Sequence, residues 1–80
     1  MVTIRLVRRS DGQPMWGASV YISRQGSGLL DFGGVFGSEK TDQNGQVSFW
    51  KLDLPAWGKV VVDSHEVYDG ELQKNMSFRL

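Results

Sequence analysis

Apolar and polar residues alternate along several short stretches of the chain. Residues 2–8 read VTIRLVR, 18–23 read ASVYIS, 46–50 read QVSFW and 76–80 read MSFRL. Every second side chain there is apolar, which is the period of a β-strand with one buried face. A fifth stretch, KVVVD at 59–63, is β-branched and also predicts a strand. No convincing helical period appears elsewhere, so the pattern predicts an all-β, antiparallel two-sheet sandwich of six to seven strands.

Turn-forming residues separate these predicted strands. Residues 11–14 and 55–58 each contain Gly and Pro, which are typical of turns. Asn44 and Gly45 lie between two strand-like runs, and this dipeptide favours the positive φ angles of a type I′ turn. We therefore predict a β-hairpin there. Residues 64–75 fit neither period and are predicted as strand plus turn.

A chain of 80 residues is expected to form one domain, residues 1–80, because so short a chain buries too little surface for a second core. It contains no cysteine, so the domain must be held together by packing rather than by disulfides. The inward phase of the predicted strands gives the expected core: Ile4, Leu6, Val20, Ile22, Val47, Phe49, Val60, Val62 and Phe78.

Nine basic and nine acidic residues cancel, and 40% of the residues are hydrophobic. This is a globular composition, and it argues against a nucleic-acid partner, which usually selects a clustered basic excess. Apolar stretches are much shorter than the roughly 20 residues of a membrane span, and the N-terminus lacks the pattern of a signal peptide. The sequence does not indicate a cellular compartment; an extracellular or cell-surface location is expected if the chain is a module of a longer exported protein.

The order of turns and strands resembles that of prealbumin-like (transthyretin-like) sandwich modules. The similarity rests on DGQPMWGASVYI, TDQNGQVSF and LPAWGKVVV and spans residues 2–63. Carboxypeptidase regulatory-like domains and the B-type repeats of bacterial surface adhesins share this pattern. The resemblance implies the architecture and says little of function, because the matching residues are mainly turn and core positions.

The chain differs from the families that it resembles, and from enzymes of the same fold, at the residues that react in them. Adhesin repeats often form an isopeptide bond from a Lys in the first strand, but here that strand offers Arg5, whose guanidinium stays protonated and cannot act as the nucleophile. Hydroxyisourate hydrolases need several histidines and a C-terminal Tyr-Arg-Gly-Ser, whereas this chain has His65 alone and ends Ser-Phe-Arg-Leu. Neither chemistry is expected.

Residues 26–37, GSGLLDFGGVFG, combine five glycines with large apolar side chains. A phosphate cradle would need Gly-x-Gly-x-x-Gly before a helix, but Asp31 replaces the third glycine and no cation lies in the segment. We predict instead a loop over one edge or end of the sandwich, whose exposed side chains bind a partner. The candidates are Leu29, Leu30, Phe32 and Phe36.

Two polar groupings admit a chemical interpretation. His65, with Asp63 and Glu66 nearby, could be a general base or a metal ligand, although neighbouring strand residues point to opposite faces and a solvated histidine is favoured. Asp42 and Asn44 echo the start of a calcium loop, but the downstream carboxylate is missing and a turn explains them. We therefore predict no catalytic residues, no metal and no cofactor.

The aromatic residues remain, and they include three tryptophans. Trp16 and Trp57 are expected to plug the two ends of the sandwich. Tyr21 and Trp50 fall on the outward phase of their strands, where flat rings can stack on a sugar or contact a protein. The sequence thus predicts a non-catalytic structural or interaction module that docks a protein partner or a copy of itself through residues 26–37. The alternative is a carbohydrate-binding module that uses Tyr21 and Trp50 on a polysaccharide.

Overall fold

The described residues form seven strands and no helix in a computed structural model, which describes residues 1–25 and 34–80. The strands are β1 (Val2–Val7), β2 (Ser19–Arg24), β3 (Gly34–Lys40), β4 (Gln46–Phe49), β5 (Trp57–Val62), β6 (His65–Glu71) and β7 (Asn75–Arg79). The all-β two-sheet sandwich predicted from the alternation is confirmed.

The strands divide into a three-stranded sheet, with the order β4-β1-β7, and a four-stranded sheet, with the order β3-β2-β5-β6. The pairs are antiparallel apart from β1 and β7, which run parallel with Ile4 opposite Met76 and Leu6 opposite Phe78. The prediction that all strands pair antiparallel is therefore wrong for β1 and β7. A parallel pair cannot be joined by a tight turn, and the chain builds the other five strands between β1 and β7.

The core lies between the two sheets. Eight of the nine predicted core side chains are buried, because alternation places every second residue on the inner face. The exception is Phe78, which packs against the core half-buried, with its ring centroid 5.9 Å from that of Tyr68. Six further residues complete the buried cluster: Val2, Ala18, Leu52, Ala56, Leu72 and Met76.

The hairpin predicted at Asn44 and Gly45 is wrong, because β3 and β4 belong to different sheets. The turn begins at Asp42, whose carbonyl oxygen accepts a hydrogen bond from the Gly45 amide at 3.0 Å. Of the dipeptide, only Gly45 has a positive φ, of 73°, so the turn is not type I′. The Asp42 carboxylate also accepts from the amides of Asn44, at 2.8 Å, and Gln46, at 3.0 Å. These bonds fix the crossing from one sheet to the other.

Residues 64–75 contain β6 and the turn that follows it, as predicted. The turn into β6 consists of Asp63 and Ser64, with φ angles of 48° and 70°, between the paired residues Val62 and His65. Asp63 is also tied to β2, since its carboxylate accepts from the Ser19 amide at 3.0 Å and its own amide donates to the Ser19 carbonyl at 2.8 Å. This pair of bonds holds the turn against the neighbouring strand.

The expectation that residues 34–37 belong to a loop is wrong, because β3 begins at Gly34 and pairs with β2 from there. Val35 and Phe36 alternate as strand residues do. The Phe36 side chain packs against the core, whereas Val35 is 68% exposed. Three of the predicted partner-binding residues, Leu29, Leu30 and Phe32, lie outside the described residues.

Candidate functional site

A groove runs between β3 and β4, where an edge strand of one sheet approaches an edge strand of the other. It has a volume of about 290 Å³, and its aromatic lining consists of Phe36 from β3 and Phe49 and Trp50 from the end of β4. Glu39 and Lys51 add one charge of each sign. We call this surface the β3–β4 groove; its lining is largely aromatic and carries no net charge.

Alternation along β4 explains the aromatic lining. Phe49 is inward and only 4% exposed, so Trp50, the next residue, is directed away from the core and is 73% exposed. Trp50 and Lys51 lie in the turn that leaves β4. The outward position predicted for Trp50 is confirmed.

A second depression, of about 370 Å³, continues along the same side of the sandwich. It shares Phe36 and Lys51 with the β3–β4 groove and adds Asp53 and Pro55 from the segment after β4. The Phe36 side chain thus lines both depressions. The ring itself is half-buried against the core, which leaves one part of it for a partner.

At Gly37 the backbone of β3 comes close to β2 of its own sheet and to Phe49 of β4 in the other sheet. A Cβ at this position would lie 2.7 Å from the Val20 carbonyl oxygen and 3.0 Å from the Phe49 ring, and its φ is 105°. Side chains rarely adopt this backbone conformation. The groove therefore depends on glycine at this one position of β3.

Gly37→Ala is expected to lower the free energy of unfolding by about 2 kcal/mol, since it adds both backbone strain and a clash. Gly34→Ala is the matched control in the same strand, because its Cβ would meet only the Phe36 ring at 3.7 Å, an ordinary contact. Urea denaturation of the two variants measures the difference. Equal stabilities would show that the close approach at Gly37 is not needed.

Tyr21 and Trp50, the predicted sugar-binding pair, are not brought together. Tyr21 is half-buried on β2 between the buried Val20 and Ile22, so it lies on the outer face of the four-stranded sheet. Its neighbour across the strand pair is Val61 of β5. The β3–β4 groove, which Trp50 lines, does not include Tyr21.

The prediction that Trp16 and Trp57 plug the ends of the sandwich is wrong, since they are 75% and 48% exposed. Smaller neighbours take the inward positions. Met15 packs against the core before Trp16, and Ala56 is buried before Trp57. Trp57 is the first residue of β5, where neighbouring residues point to opposite sides, so its indole is directed outward. Trp16 lies in a turn, where alternation does not apply. Alternation around Ala56 was the signal that could have shown the exposure of Trp57.

The polar groupings do not converge. Asp63 contacts the Ser19 amide, and Glu66 lies 3.4 Å from the ammonium of Lys59, so both carboxylates next to His65 have other partners. The Asp42 carboxylate caps its own turn. Within residues 1–25 and 34–80, no three His, Asp or Glu side chains are grouped as metal ligands. The same residues contain no helix that is long and apolar enough to cross a membrane.

Comparison with known protein families, curated proteins and solved structures finds no match to this chain.

Proposed function

We propose that this chain is a non-catalytic, prealbumin-like interaction module that self-associates through β3. The observation that carries the proposal is the position of β3 at the edge of its sheet, where no strand within residues 1–25 and 34–80 pairs with its outer side, with Val35 68% exposed and the β3–β4 groove alongside. The resemblance to regulatory-like domains and adhesin repeats supports the prealbumin-like architecture of the proposed module.

An edge strand carries a row of unpaired backbone amides and carbonyls, which a strand from another chain can complete. Natural edges are usually protected by Lys, Pro or inward-pointing charges. Residues 34–36 of β3 have none of these, and the irregularity in the pairing of β3 with β2 comes only after Phe36. Residues 34–36 are therefore the part of this edge that we expect to pair.

A second copy of the chain is the occupant to which we commit. Two β3 strands that pair antiparallel about a two-fold axis would join the two four-stranded sheets into one. β3 contains one acidic and one basic residue, Glu39 and Lys40, so two copies do not repel each other by net charge. Trp50, 73% exposed beside this edge, would gain contacts at the same time.

The parent protein is expected to form a concentration-dependent dimer, and Val35→Lys is expected to weaken it about tenfold or more, because a lysine on an edge strand opposes pairing. Ser77→Lys is the matched control, since it places the same charge on β7, an edge strand of the other sheet. Light scattering after size exclusion, over a range of concentrations, gives the mass of each variant.

A parent protein that stays monomeric at every concentration would overturn self-association. Equal weakening by Val35→Lys and Ser77→Lys would place the interface elsewhere. A Val35→Lys variant that remains dimeric would exclude β3 from the interface.

Carbohydrate binding at Trp50 is the second candidate function. The exposure of its indole, at 73%, favours it, because a flat exposed ring can stack on the apolar face of a sugar. Tyr21 lies on another face, so this version depends on Trp50 and the polar residues of the groove. Loss of sugar binding in a Trp50→Ala variant is its test.

A further inference from the structure

A separate depression surrounds Trp16, which is 75% exposed, more than any other large hydrophobic side chain in the described part of the chain. Its volume of about 530 Å³ falls in the range of about 300 to 1,000 Å³ that is usual for small-ligand sites. Its walls come from the turns after β1 and β3. They are formed by Arg8, Gln13, Pro14, Met15, Trp16 and Gln43.

The backbone on both sides of Trp16 is held by one residue, Thr41. The Thr41 hydroxyl donates to the Met15 carbonyl and accepts from the Ala18 amide at 2.9 Å. The Thr41 carbonyl accepts from the Gly17 amide at 3.0 Å, and its amide donates to the Ala18 carbonyl at 3.0 Å. The backbone that carries the exposed indole is therefore already ordered, so a ligand that binds there does not have to order it.

Gln13 and Gln43 stand on turns that are fixed in the same way. The Gln13 amide donates to the Asp11 carboxylate at 3.0 Å, and its carbonyl accepts from the Arg8 amide at 2.8 Å. Gln43 lies within the turn that Asp42 caps. Neither glutamine side chain has a hydrogen-bond partner in the described residues, so the donor and acceptor of each amide are available.

The charge of the depression is balanced. The guanidinium of Arg8 lies 3.3 Å from the Asp11 carboxylate, and the other lining residues are uncharged. A phosphate or an acidic peptide would have to compete with Asp11 for Arg8, the cation of the depression. A neutral ligand with many hydroxyl groups fits this lining better.

We propose that the Trp16 depression binds one pyranose unit of a neutral oligosaccharide with equatorial substituents, as in chains of glucose, xylose or N-acetylglucosamine. The axial C–H bonds of such a ring form a flat apolar face, whose weakly positive hydrogens complement the negative face of the indole. Its equatorial hydroxyls project sideways, where the amides of Gln13 and Gln43 can both donate and accept.

The site is independent of the β3 dimer and of Trp50. It uses residues of the two turns, whereas the proposed interface uses β3 and the groove beside it. Val35→Lys is therefore expected to bind sugar with the affinity of the parent, so the two proposals fail or succeed separately.

Isothermal titration calorimetry with cellohexaose, xylohexaose and chitohexaose tests the proposal. We expect saturable binding of at least one of the three. Trp16→Ala is expected to weaken it about tenfold or more, and Gln13→Ala and Gln43→Ala each about threefold to tenfold, as for the loss of single hydrogen bonds. Trp57→Ala is the matched control, since it removes an indole that is 48% exposed and lines neither depression, and it is expected to bind like the parent.

Absence of binding to all three oligosaccharides at millimolar concentrations would overturn the proposal. Binding that Trp16→Ala leaves unchanged would also overturn it. Binding that is lost in Trp50→Ala but kept in Trp16→Ala would overturn it in favour of the groove. Because Trp16 is an exposed side chain, its removal is not expected to unfold the protein, and the circular dichroism spectrum of each variant checks this.

Discussion

Leu52→Ala is expected to lower the free energy of unfolding by about 3 kcal/mol, within the range of about 2 to 5 kcal/mol for truncating a buried leucine. The Leu52 side chain is fully buried, at 0% exposure. An 80-residue domain has a total stability of only about 4 to 12 kcal/mol. This one substitution therefore removes a large part of it.

The size of the effect follows from the place of Leu52 in the fold. It lies in the irregular segment between β4 of one sheet and β5 of the other, and it belongs to the buried cluster between them. Its amide bonds to the Phe49 carbonyl at 3.4 Å, which keeps the backbone close to the end of β4. A cavity here is costly, because the interior of a protein is closely packed and relaxes only in part around a truncated side chain.

Leu54→Ala is the matched control, since Leu54 lies two residues away in the same segment and is 36% exposed. Its truncation is expected to cost about half as much as that of Leu52, because part of the residue already contacts solvent. Urea denaturation of the two variants gives the comparison. Similar losses in both would contradict the special role of Leu52.

Leu52 also shows where sequence reasoning stops. Strands such as β1 and β2 could be predicted because alternation is a local property of the chain. Leu52, Ala56 and Leu72 are buried without belonging to any strand. Their burial depends on how the two sheets are joined, and no periodicity records that.

The same limit explains the error at Asn44 and Gly45. This dipeptide is a strong local signal for a hairpin, but the partner of a strand is decided by the whole sheet. β4 pairs with β1, with Val47 opposite Ile4, and so buries an apolar pair in the three-stranded sheet. Burial of that pair, together with the Asp42 cap, prevails over the local preference for a hairpin.

For the candidate sites, the sequence identified some of the residues but not their arrangement. Trp50 and Phe36 were singled out, and both line the β3–β4 groove. Trp16 was expected to plug one end of the sandwich, because an aromatic side chain buries a large apolar area. Its exposure follows from Met15, which takes the inward position beside it. Gln13 and Gln43 could not be found from the sequence, because only the two turns bring them to Trp16.

Thr41→Val is expected to lower the free energy of unfolding by about 2 to 4 kcal/mol, although it preserves the shape of the side chain. Thr41 is 2% exposed, and its hydroxyl bonds to the Met15 carbonyl and the Ala18 amide. Valine would leave the Ala18 amide, whose bond is buried, and the Met15 carbonyl, whose bond is partly buried, without this partner. The buried amide costs about 1 to 3 kcal/mol, and the partly buried carbonyl adds about 1 kcal/mol. Thr41→Ser keeps the hydroxyl and loses one methyl, so its expected cost is about 1 kcal/mol.

Thr3→Val is the matched control for the loss of a threonine hydroxyl. The Thr3 hydroxyl bonds to that of Ser48 at 3.0 Å in a partly buried position, where water can replace the bond, so its expected cost is below about 1 kcal/mol. Amide hydrogen exchange supplies the local test. Thr41→Val should remove the protection of the Ala18 amide, and Thr41→Ser should keep it. If the Ala18 amide stays protected in the valine variant, the Thr41 hydroxyl does not order the backbone beside Trp16. Ligand binding at Trp16 then loses its proposed entropic advantage.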